Sequence, residues 1–367
     1  MFNNVYSGKT VLITGHTGFK GTWLTAWLLK LGAHICGVSN AIPSHPSMFE
    51  KLKLESKIDH KICDIRHLES LKSIVHDLKP DFVFHLAAQA IVSDSYDDPI
   101  GTISTNVIGT ANILESLRGL ENDCTAIFIT SDKCYENVEW EWGYKETDAV
   151  GGRDIYSGSK GAAEIIFHAY QQSFFNDAKQ NIRLATGRAG NVIGGGDWAK
   201  DRIVVDCMKN WSQREAVEIR CPDATRPWQH VLEPLSGYLC LGSALFANRS
   251  LHGESFNFGP KAEKNRTVRD LLTDLSDYWG FSSTSDAYRI TDNIPFHEAG
   301  LLKLNCDKAL FHLSWEGNLY YKECVKFVSE WYFNFYNKNG DMLSFTIDQI
   351  SDYEKTAVDR GLVWARD

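Results

Sequence analysis

Short apolar runs alternate with stretches of helical periodicity through the first half of the chain. The run 10–15 is apolar and β-branched and ends in a glycine, and residues 21–32 then carry apolar side chains at helical spacing. Further strand-like runs lie at 33–39, 81–88 and 125–131, and helix-like stretches lie at 67–78 and 104–118. Strands that alternate with helices predict βαβ units, and hence an α/β fold with a doubly wound parallel sheet.

The second half of the chain has a less regular pattern. Residues 190–202 are rich in glycine and charge, which predicts an ordered loop, and helix-like stretches at 267–280 and 320–336 are mixed with short extended pieces. We therefore expect two domains and a tail. They are a first domain over 1–190 to which 229–260 returns, a smaller mixed α/β substrate domain over 191–228 and 261–340, and a C-terminal helical appendage over 341–367.

Composition narrows the classes of protein to which the chain can belong. With 367 residues, 43% of them hydrophobic, it is long enough to bury a substantial core. The formal net charge of −9 argues against an intrinsic binder of nucleic acid or of an anionic membrane. Nine scattered cysteines with no C-x-x-C pair favour reduced thiols over disulfides or a metal site. No leader-like or membrane-spanning run is present, so we expect a soluble, cytoplasmic protein.

The turn between the first strand and the first helix carries three regularly spaced glycines. Gly15, Gly18 and Gly21 follow the pattern G-x-x-G-x-x-G. Residues without a Cβ allow a tight turn, a close approach of the backbone to a pyrophosphate and close packing of helix on strand, while the helix N-terminus offers free N–H groups to the anion. Three glycines alone would fit any loop, but this strand–turn–helix context predicts a dinucleotide site.

Residues at the ends of the next strands bear on which dinucleotide binds. Asn40 stands where an acid often binds the ribose 2′-hydroxyl, and no arginine lies beside it to hold a 2′-phosphate, which favours NAD. Asp64 follows a third apolar stretch and is a candidate for the adenine amino group, or a simple turn residue. His16 and Lys20 lie inside the glycine loop, where they either reach a cofactor phosphate or form an exposed loop face.

A tyrosine and a lysine stand four residues apart at the start of a helix. Tyr156 and Lys160 share one helical face, and most such pairs are solvated surface pairs. Beside a nicotinamide the pair has a function. The Lys160 ammonium and the positive charge of the nicotinamide ring are expected to lower the pKa of the Tyr156 phenol, so that Tyr156 takes the proton of an alcohol as hydride leaves its carbon. Ser131, at the end of the preceding strand, is the hydroxyl expected to orient that alcohol.

An acid and a base follow that serine directly. Short polar residues often close strands, which is the simplest account of Asp132 and Lys133. A dehydrogenase or 4-epimerase needs only Ser131, Tyr156 and Lys160, whereas elimination of water also needs an acid for the leaving hydroxyl and a base for the adjacent hydrogen. Burial would shift the pKa of both Asp132 and Lys133 in the required direction, whereas a direct ion pair would oppose it.

The motifs together resemble a known family. TGxxGxxG, HLAAQ (85–89), TNVIGT (105–110) and Y-x-x-x-K resemble the extended short-chain dehydrogenases/reductases. The longer stretches are similar to the CDP-glucose 4,6-dehydratases of that family: 15–24, 130–146, 188–202, 226–238, 257–260, 297–309 and 340–355. The resemblance runs through nearly the whole chain and implies a Rossmann-type fold, with 1–190 as an NAD-binding domain.

The resemblance implies redox-neutral chemistry on CDP-glucose, with NAD as the cofactor, in deoxysugar and polysaccharide biosynthesis. Oxidation at C4 makes the C5 hydrogen acidic, water leaves across C5 and C6, and the hydride returns to C6. Related dehydratases carry Asp-Glu where this chain has Asp132 and Lys133, so Asp132 carries over as the acid and Lys133 as the C5 base. The implied cofactor contacts are Gly15, His16, Gly18, Phe19, Lys20, Gly21, Asn40, Asp64, Ile65, Leu86, Ala87, Ala88, Gln89, Asn106, Tyr156 and Lys160.

The resemblance also implies a nucleotide-sugar site and an assembly. The implied substrate contacts are Asn191, Trp198, Arg202, Arg226 and Glu298, with a core position as the alternative for Trp198 and a surface ion pair as the alternative for each arginine. Relatives pair through helices, which implies a homodimer. The chain departs from the family at Ser93, where an arginine is usual. A nucleotide-sugar epimerase or reductase, a 4,6-dehydratase of another nucleotide sugar and a non-catalytic NAD-binding protein are the alternative functions.

Overall fold

The computed structural model describes residues 1–177, 180–219, 221–260, 266–281, 283–291, 302–338 and 340–366. The strands are β1 (Thr10–Thr14), β2 (His34–Ser39), β3 (Asp59–Ile62), β4 (Phe82–His85), β5 (Cys124–Ile129), β6 (Ile182–Ala189), β7 (Val192–Ile193), β8 (Val217–Ile219), β9 (Thr225–Arg226), β10 (Gln229–His230), β11 (Ser255–Phe258), β12 (Arg266–Thr267) and β13 (Tyr288–Ile290). The α-helices are α1 (Phe19–Lys30), α2 (Met48–Lys51), α3 (Leu68–Leu78), α4 (Val92–Asp97), α5 (Pro99–Ile103), α6 (Gly109–Leu117), α7 (Ile155–Tyr170), α8 (Ile203–Ser212), α9 (Leu232–Ala247), α10 (Val268–Asp277), α11 (Thr284–Ala287), α12 (Asp307–Leu313), α13 (Tyr321–Asn337) and α14 (Met342–Asp359).

Seven strands form one parallel sheet in the order β11-β6-β5-β4-β1-β2-β3. The order reverses between β1 and β4, and ligands of doubly wound sheets bind at such a switch point, beside the carboxyl ends of the strands. The predicted doubly wound α/β fold is therefore confirmed. β11 comes from the segment 229–260 and closes one edge of the sheet beside β6.

The sheet separates two apolar cores because its central strands are buried on both faces. Val11 and Ile13 of β1 pack into a large core with Trp23 and Trp27 of α1. Leu12, between them in sequence, points to the opposite face and packs with residues of α3, α6 and α7. This alternation follows from the two-residue period of a strand, and it explains why β1 reads as a continuous apolar run.

Outside the large sheet, the described strands form three two-stranded sheets, β7–β10, β8–β13 and β9–β12. The helices expected at 267–280 and 320–336 correspond to α10 and α13. The C-terminal α14 packs on α1, since the indole of Trp27 donates to Glu354 at 2.8 Å. It also packs on α13, where the indole of Trp331 donates to Thr346 at 3.0 Å.

Two predicted elements differ at their ends from the observed ones. The strand expected over 81–88 ends at His85, because its partner β1 ends at Thr14 and the N–H of Leu86 makes the last bond of the ladder, to the carbonyl of Thr14. The helix expected over 104–118 opens with a wide π turn, Ser104–Ile108, before α6. None of the described helices is long and apolar enough to cross a membrane.

Candidate active site

The glycine turn joins β1 to α1 as the spacing predicts. Gly15 has φ +77°, and a Cβ there would lie 2.7 Å from the backbone nitrogen of Ala87, so the turn needs glycine for both conformation and space. Gly18 is the N-cap of α1 and no side chain caps the helix. The backbone N–H groups of Phe19 and Lys20 at its first turn are therefore available to an anion.

His16, although inside this turn, points into the protein. Its ring is buried, with Nε2 at 2.7 Å from His60 Nδ1 and Nδ1 at 3.1 Å from the hydroxyl of Ser39. Burial lowers the pKa of His16 to about 4. The imidazole is thus neutral near pH 7, and the predicted contact with a cofactor phosphate fits its backbone rather than its side chain.

The loop after β4 is held by Asn106. The Asn106 amide accepts from Gln89 N at 2.8 Å and donates to Gln89 O at 3.1 Å and to Ser159 of α7 at 2.8 Å. These bonds occupy both ends of the amide, so Asn106 positions the segment that carries Leu86, Ala87 and Ala88 rather than being free to bind a ligand. The Gln89 side chain is likewise bonded within the protein, to Ile91 and Thr102.

Asn40 and Asp64 follow β2 and β3 at the carboxyl edge of the sheet. Asn40 is exposed, which leaves its side chain accessible to a ribose. Asp64 is bound by Arg66 through a pair of charge-assisted bonds, 3.0 Å from Nε and 2.6 Å from the terminal nitrogen, and this ion pair lowers the pKa of Asp64. The buried Ile65 packs against Gly109 of α6 and shapes the floor of this edge.

The catalytic candidates of β5 lie just beyond its carboxyl end. Ser131 is the N-cap of a short 3-10 turn, Asp132–Cys134, and its Oγ accepts from the N–H of Lys133 at 3.2 Å. Its hydroxyl donates to Asp132 Oδ1 at 2.9 Å. Asp132 is 5% exposed, whereas Lys133 is half-buried. The turn therefore presents the serine, the acid and the lysine together.

Tyr156 and Lys160 occupy the first turns of α7, which faces this strand end. The helix begins there because Asp154 caps it, accepting from Ser157 N at 2.9 Å. Lys160 Nζ lies 5.9 Å from the centre of the Tyr156 ring, and both residues are buried. The Ser131 hydroxyl hydrogen-bonds the phenol of Tyr156. The proton-transfer set expected from the sequence is thus assembled in space.

The pKa values decide a question that the sequence left open. Burial raises the pKa of Asp132, and it outweighs the opposing charges of Lys133 and Lys20. Burial also lowers the pKa of Lys160 to about 8. Burial, and then the charge of Asp132, raise the pKa of Tyr156 to about 12, with the Ser131 hydrogen bond and the charge of Arg202 opposing the rise.

Lys20 reaches the proton-transfer set rather than an exposed loop face. Its Nζ lies 5.9 Å from the centre of the Tyr238 ring, and burial lowers its pKa to about 8, with Arg202 and Lys160 lowering it and Asp132 raising it. Arg202 also favours the ionised phenol of Tyr156. A cluster of cations therefore surrounds one buried carboxyl group.

The loop that carries Arg202 is joined to α4 on the other wall of the cleft. The hydroxyl of Ser93 donates to Asp201 at 2.6 Å, and Lys200 forms an ion pair with Asp94. Ser93 is the position at which the family resemblance implies an arginine. Ser93 keeps a hydrogen bond to Asp201 but provides no positive charge to the cleft at this position.

The other predicted substrate residues have mixed positions. Asn191 is exposed after β6, and Arg226 is half-buried in β9. Trp198 does not fit the prediction of a substrate contact: it is 4% exposed and packs edge-on to Trp331, because α13 covers it with aromatic side chains. The alternative interpretation, a core residue, describes its position. Glu298 lies outside the described residues.

A small pocket opens beside Asp132. Its lining consists of Asp132, Gly190, Pro227, Gln229, Gly259, Pro260, Leu302, Lys303 and Leu304. Sequence reasoning singled out only Asp132 of these, although 226–238 and 257–260 belong to the long motifs and carry glycine and proline at strand ends. Tyr238 was also missed; within the described part of the chain its buried hydroxyl has no hydrogen-bond partner, and the Asp132 charge adds to the burial that raises its pKa.

This chemistry fits a dinucleotide at the switch point. The uncapped N-terminus of α1 suits a pyrophosphate, the exposed Asn40 suits a ribose, and the loop held by Asn106 lies between them and the Tyr156–Lys160 pair. Among the described residues, no group of three or more His, Cys, Asp or Glu side chains is arranged to hold a metal ion.

Comparisons with known proteins agree with this geometry. The model of the GDP-mannose 4,6 dehydratase family matches residues 12–238. A CDP-glucose 4,6-dehydratase of Salmonella typhimurium is 44% identical over 355 residues, which cover 95% of this chain and 97% of that protein.

Two solved structures share the fold at lower identity. An epimerase, Mth375, of Methanothermobacter thermautotrophicus is 21% identical with a TM-score of 0.76, and the match covers 91% of this chain and 95% of that one. A dTDP-glucose 4,6-dehydratase of Bacillus anthracis, in complex with NAD, is 17% identical with a TM-score of 0.73, covering 92% of this chain and 100% of that one. The chain therefore belongs to the GDP-mannose 4,6-dehydratase family, together with the CDP-glucose 4,6-dehydratase of Salmonella typhimurium.

Proposed function

We propose that this protein is an NAD-dependent CDP-glucose 4,6-dehydratase, which converts CDP-D-glucose to CDP-4-dehydro-6-deoxy-D-glucose and water. The observation that carries the proposal is the buried Asp132, hydrogen-bonded to Ser131 and next to Tyr156. A simple oxidoreductase has no use for a carboxyl group with a raised pKa at this point, whereas elimination of a hydroxyl group needs an acid there. The 44% identity to the Salmonella enzyme supports the choice of substrate.

NAD would lie across the carboxyl ends of β1, β2 and β4, with its pyrophosphate at the glycine turn and its ribose at Asn40. When bound, it supplies the acceptor for the C4 hydride and the donor for C6. Lys160 holds a positive charge beside Tyr156, and Asn106 fixes the loop that borders the site.

The chain's own residues move the protons. Tyr156 takes the proton of the C4 hydroxyl, which Ser131 orients. The resulting ketone acidifies the C5 hydrogen, and Lys133 takes it as a proton. Asp132 gives its proton to the C6 hydroxyl, which leaves as water, since burial keeps this carboxyl protonated to higher pH than usual. Lys133 then returns a proton to C5.

Mass spectrometry of the sugar nucleotide tests this function directly. Pure protein is incubated with NAD and CDP-glucose in heavy water, and the expected product is lighter by one water and carries one non-exchanging deuterium at C5. UDP-, dTDP- and GDP-glucose serve as matched controls. Turnover of one of these in place of CDP-glucose would retain the reaction and change the substrate, whereas no reaction with any of the four would contradict a dehydratase.

We also infer that the protein is a homodimer paired through helices next to the active site. The implied pairing in relatives is supported by apolar side chains on α5, α7 and the π turn between α5 and α6 that are exposed in the single chain: Ile100 (73% exposed), Ile103 (39%), Ile108 (50%) and Ile165 (56%). Isoleucines in such number on neighbouring helices are typical of a surface that is covered in the assembly. A cytoplasmic location is consistent with nine cysteines that are all free thiols.

A further inference from the structure

Ser131 connects Tyr156, which takes the C4 hydroxyl proton in the proposed reaction, to Asp132, the proposed acid. Its hydroxyl donates to Asp132 Oδ1 at 2.9 Å and is also hydrogen-bonded to the phenol of Tyr156. The N–H of Lys133 donates to Ser131 Oγ at 3.2 Å and fixes the position of this oxygen. A continuous chain of hydrogen bonds thus runs from the phenol through one hydroxyl to the carboxyl group.

The proton balance of the proposed function gives such a connection a use. In each turnover Tyr156 gains the proton of the C4 hydroxyl, and Asp132 loses a proton to the departing water. Lys133 takes the C5 proton and later returns a proton to C5, and the hydride that leaves C4 returns to C6. Neither transfer therefore changes the net number of protons held by the site. Each turnover ends with a neutral phenol and an ionised carboxylate, whereas the next one needs the opposite pair. Before the next turnover Tyr156 must therefore lose one proton and Asp132 must gain one, either by transfer between them or by exchange with water.

We propose that Ser131 is the relay that returns this proton. The Tyr156 O–H bond breaks as its proton moves to Ser131 Oγ, and the original Ser131 O–H bond breaks as its proton moves to Asp132 Oδ1. The serine is neutral before and after the step, the phenolate is regenerated, and the carboxyl group is protonated. No group outside the three side chains is needed, and the net charge of the site does not change.

The surroundings favour this internal route. Tyr156 is 8% exposed and Asp132 5%, so exchange of protons with bulk water is restricted. A Cβ on residue 190 would lie 3.1 Å from Asp132 Oδ2, so that the second carboxyl oxygen faces Gly190 and the pocket, where the leaving hydroxyl is expected. Burial raises the pKa of Asp132, which makes the carboxyl group a better proton acceptor than in water, and the Ser131 hydrogen bond and the Arg202 charge oppose the burial that raises the pKa of Tyr156 to about 12.

Rapid-quench kinetics on the NAD-loaded enzyme test the relay. The variants are Ser131→Ala and Ser131→Gly, which lack the hydroxyl, and Ser131→Thr, which keeps it. Ser131→Ala is expected to form about one product per site in a first phase and then to slow by at least about tenfold, because Asp132 must be reprotonated by solvent. Imidazole, added at constant pH and ionic strength, should accelerate the later turnovers but not the first, and Ser131→Thr should show neither effect.

A role in orienting the substrate alone predicts a different result. It would slow the first and later turnovers of Ser131→Ala equally, with no response to imidazole, and that outcome would overturn the relay. Wild-type enzyme that forms no product would instead contradict the proposed function, so the two failures are distinguishable.

Infrared spectroscopy of the cofactor-free protein gives a readout that does not depend on activity. The stretching band of the protonated Asp132 carboxyl is identified by its loss in Asp132→Asn. It should shift in Ser131→Ala and Ser131→Gly, which remove its hydrogen-bond partner, and remain in place in Ser131→Thr. An unchanged band in both hydroxyl-free variants would contradict the Ser131–Asp132 link on which the relay depends.

Discussion

The guanidinium of Arg188 and the carboxylate of Glu164 are 2.8 Å apart, and their side chains are 2% and 1% exposed. Arg188 lies on β6 and Glu164 lies on α7, one helical turn beyond Lys160. Glu164 also accepts from the hydroxyl of Thr130, the residue before Ser131. This buried pair thus joins α7, which carries Tyr156, to the end of β5, which is followed by Asp132.

Removal of the arginine should destabilise the whole domain. Arg188→Met leaves the Glu164 carboxylate buried without its partner, and such a loss costs about 3–5 kcal/mol. The free energy of unfolding from urea titration measures this. The double variant Arg188→Met/Glu164→Gln should recover part of the loss, because no uncompensated charge is then buried; equal stability of the single and double variants would contradict the assignment.

Asp132→Asn should separate elimination from oxidation. The amide cannot protonate the leaving hydroxyl, so loss of water should fall by about 10²-fold or more, while proton removal at C4 by Tyr156 remains. Mass spectrometry and NMR of the sugar nucleotide would then show unreacted sugar or its 4-epimer and no dehydrated product. Substantial dehydration by this variant would exclude Asp132 as the acid.

The same variant should be more stable than the wild type near neutral pH. The pKa of Asp132 is raised in the folded state, so ionisation of this carboxyl group lowers the free energy of unfolding once the pH exceeds the ordinary pKa that the group has in the unfolded chain. At pH values below that ordinary pKa the cost vanishes. Asp132→Asn removes that cost, so its advantage in free energy of unfolding should grow between acidic and neutral pH. Thermal or urea unfolding across this range checks the trend, and a variant destabilised at every pH would contradict it.

Lys20→Met should move the alkaline limit of activity upward. The Lys20 charge lowers the pKa of Asp132, so its removal should let the acid stay protonated to higher pH. The pH profile of kcat/KM measures the shift, and Lys20→Arg, which keeps the charge, should leave the limit near its wild-type value. A limit that moves downward in Lys20→Met would show that Lys20 does not act through Asp132.

The exposed isoleucines give a test of the assembly. Ile100→Asp and Ile165→Asp place charges on the proposed helix-pairing surface and should convert a dimer into monomers, as measured by size-exclusion chromatography with light scattering. Phe311→Asp, at an exposed apolar position on α12 (82% exposed), is the control and should leave the mass unchanged. A wild-type protein with the mass of one chain would contradict the dimer itself.

The sequence by itself determined the features that depend on local chemistry. The glycine turn between β1 and α1 needs residues without a Cβ within a few positions of one another, and the periods of strand and helix are properties of short segments. The doubly wound sheet, the glycine turn and the order Ser131-Asp132-Lys133 could therefore be predicted. The spacing of Tyr156 and Lys160 on one face of α7 belongs to the same class.

Only the tertiary structure decided what each side chain faces. Lys20 and His16 are four residues apart, yet one enters the catalytic cleft and the other a buried pocket with His60, because distant elements surround them. Trp198 is a core residue since α13, more than a hundred residues later, covers it. The residues next to Asp132 in the sequence could not show whether burial or an ion pair with Lys133 sets its pKa, because desolvation depends on every element packed around the group.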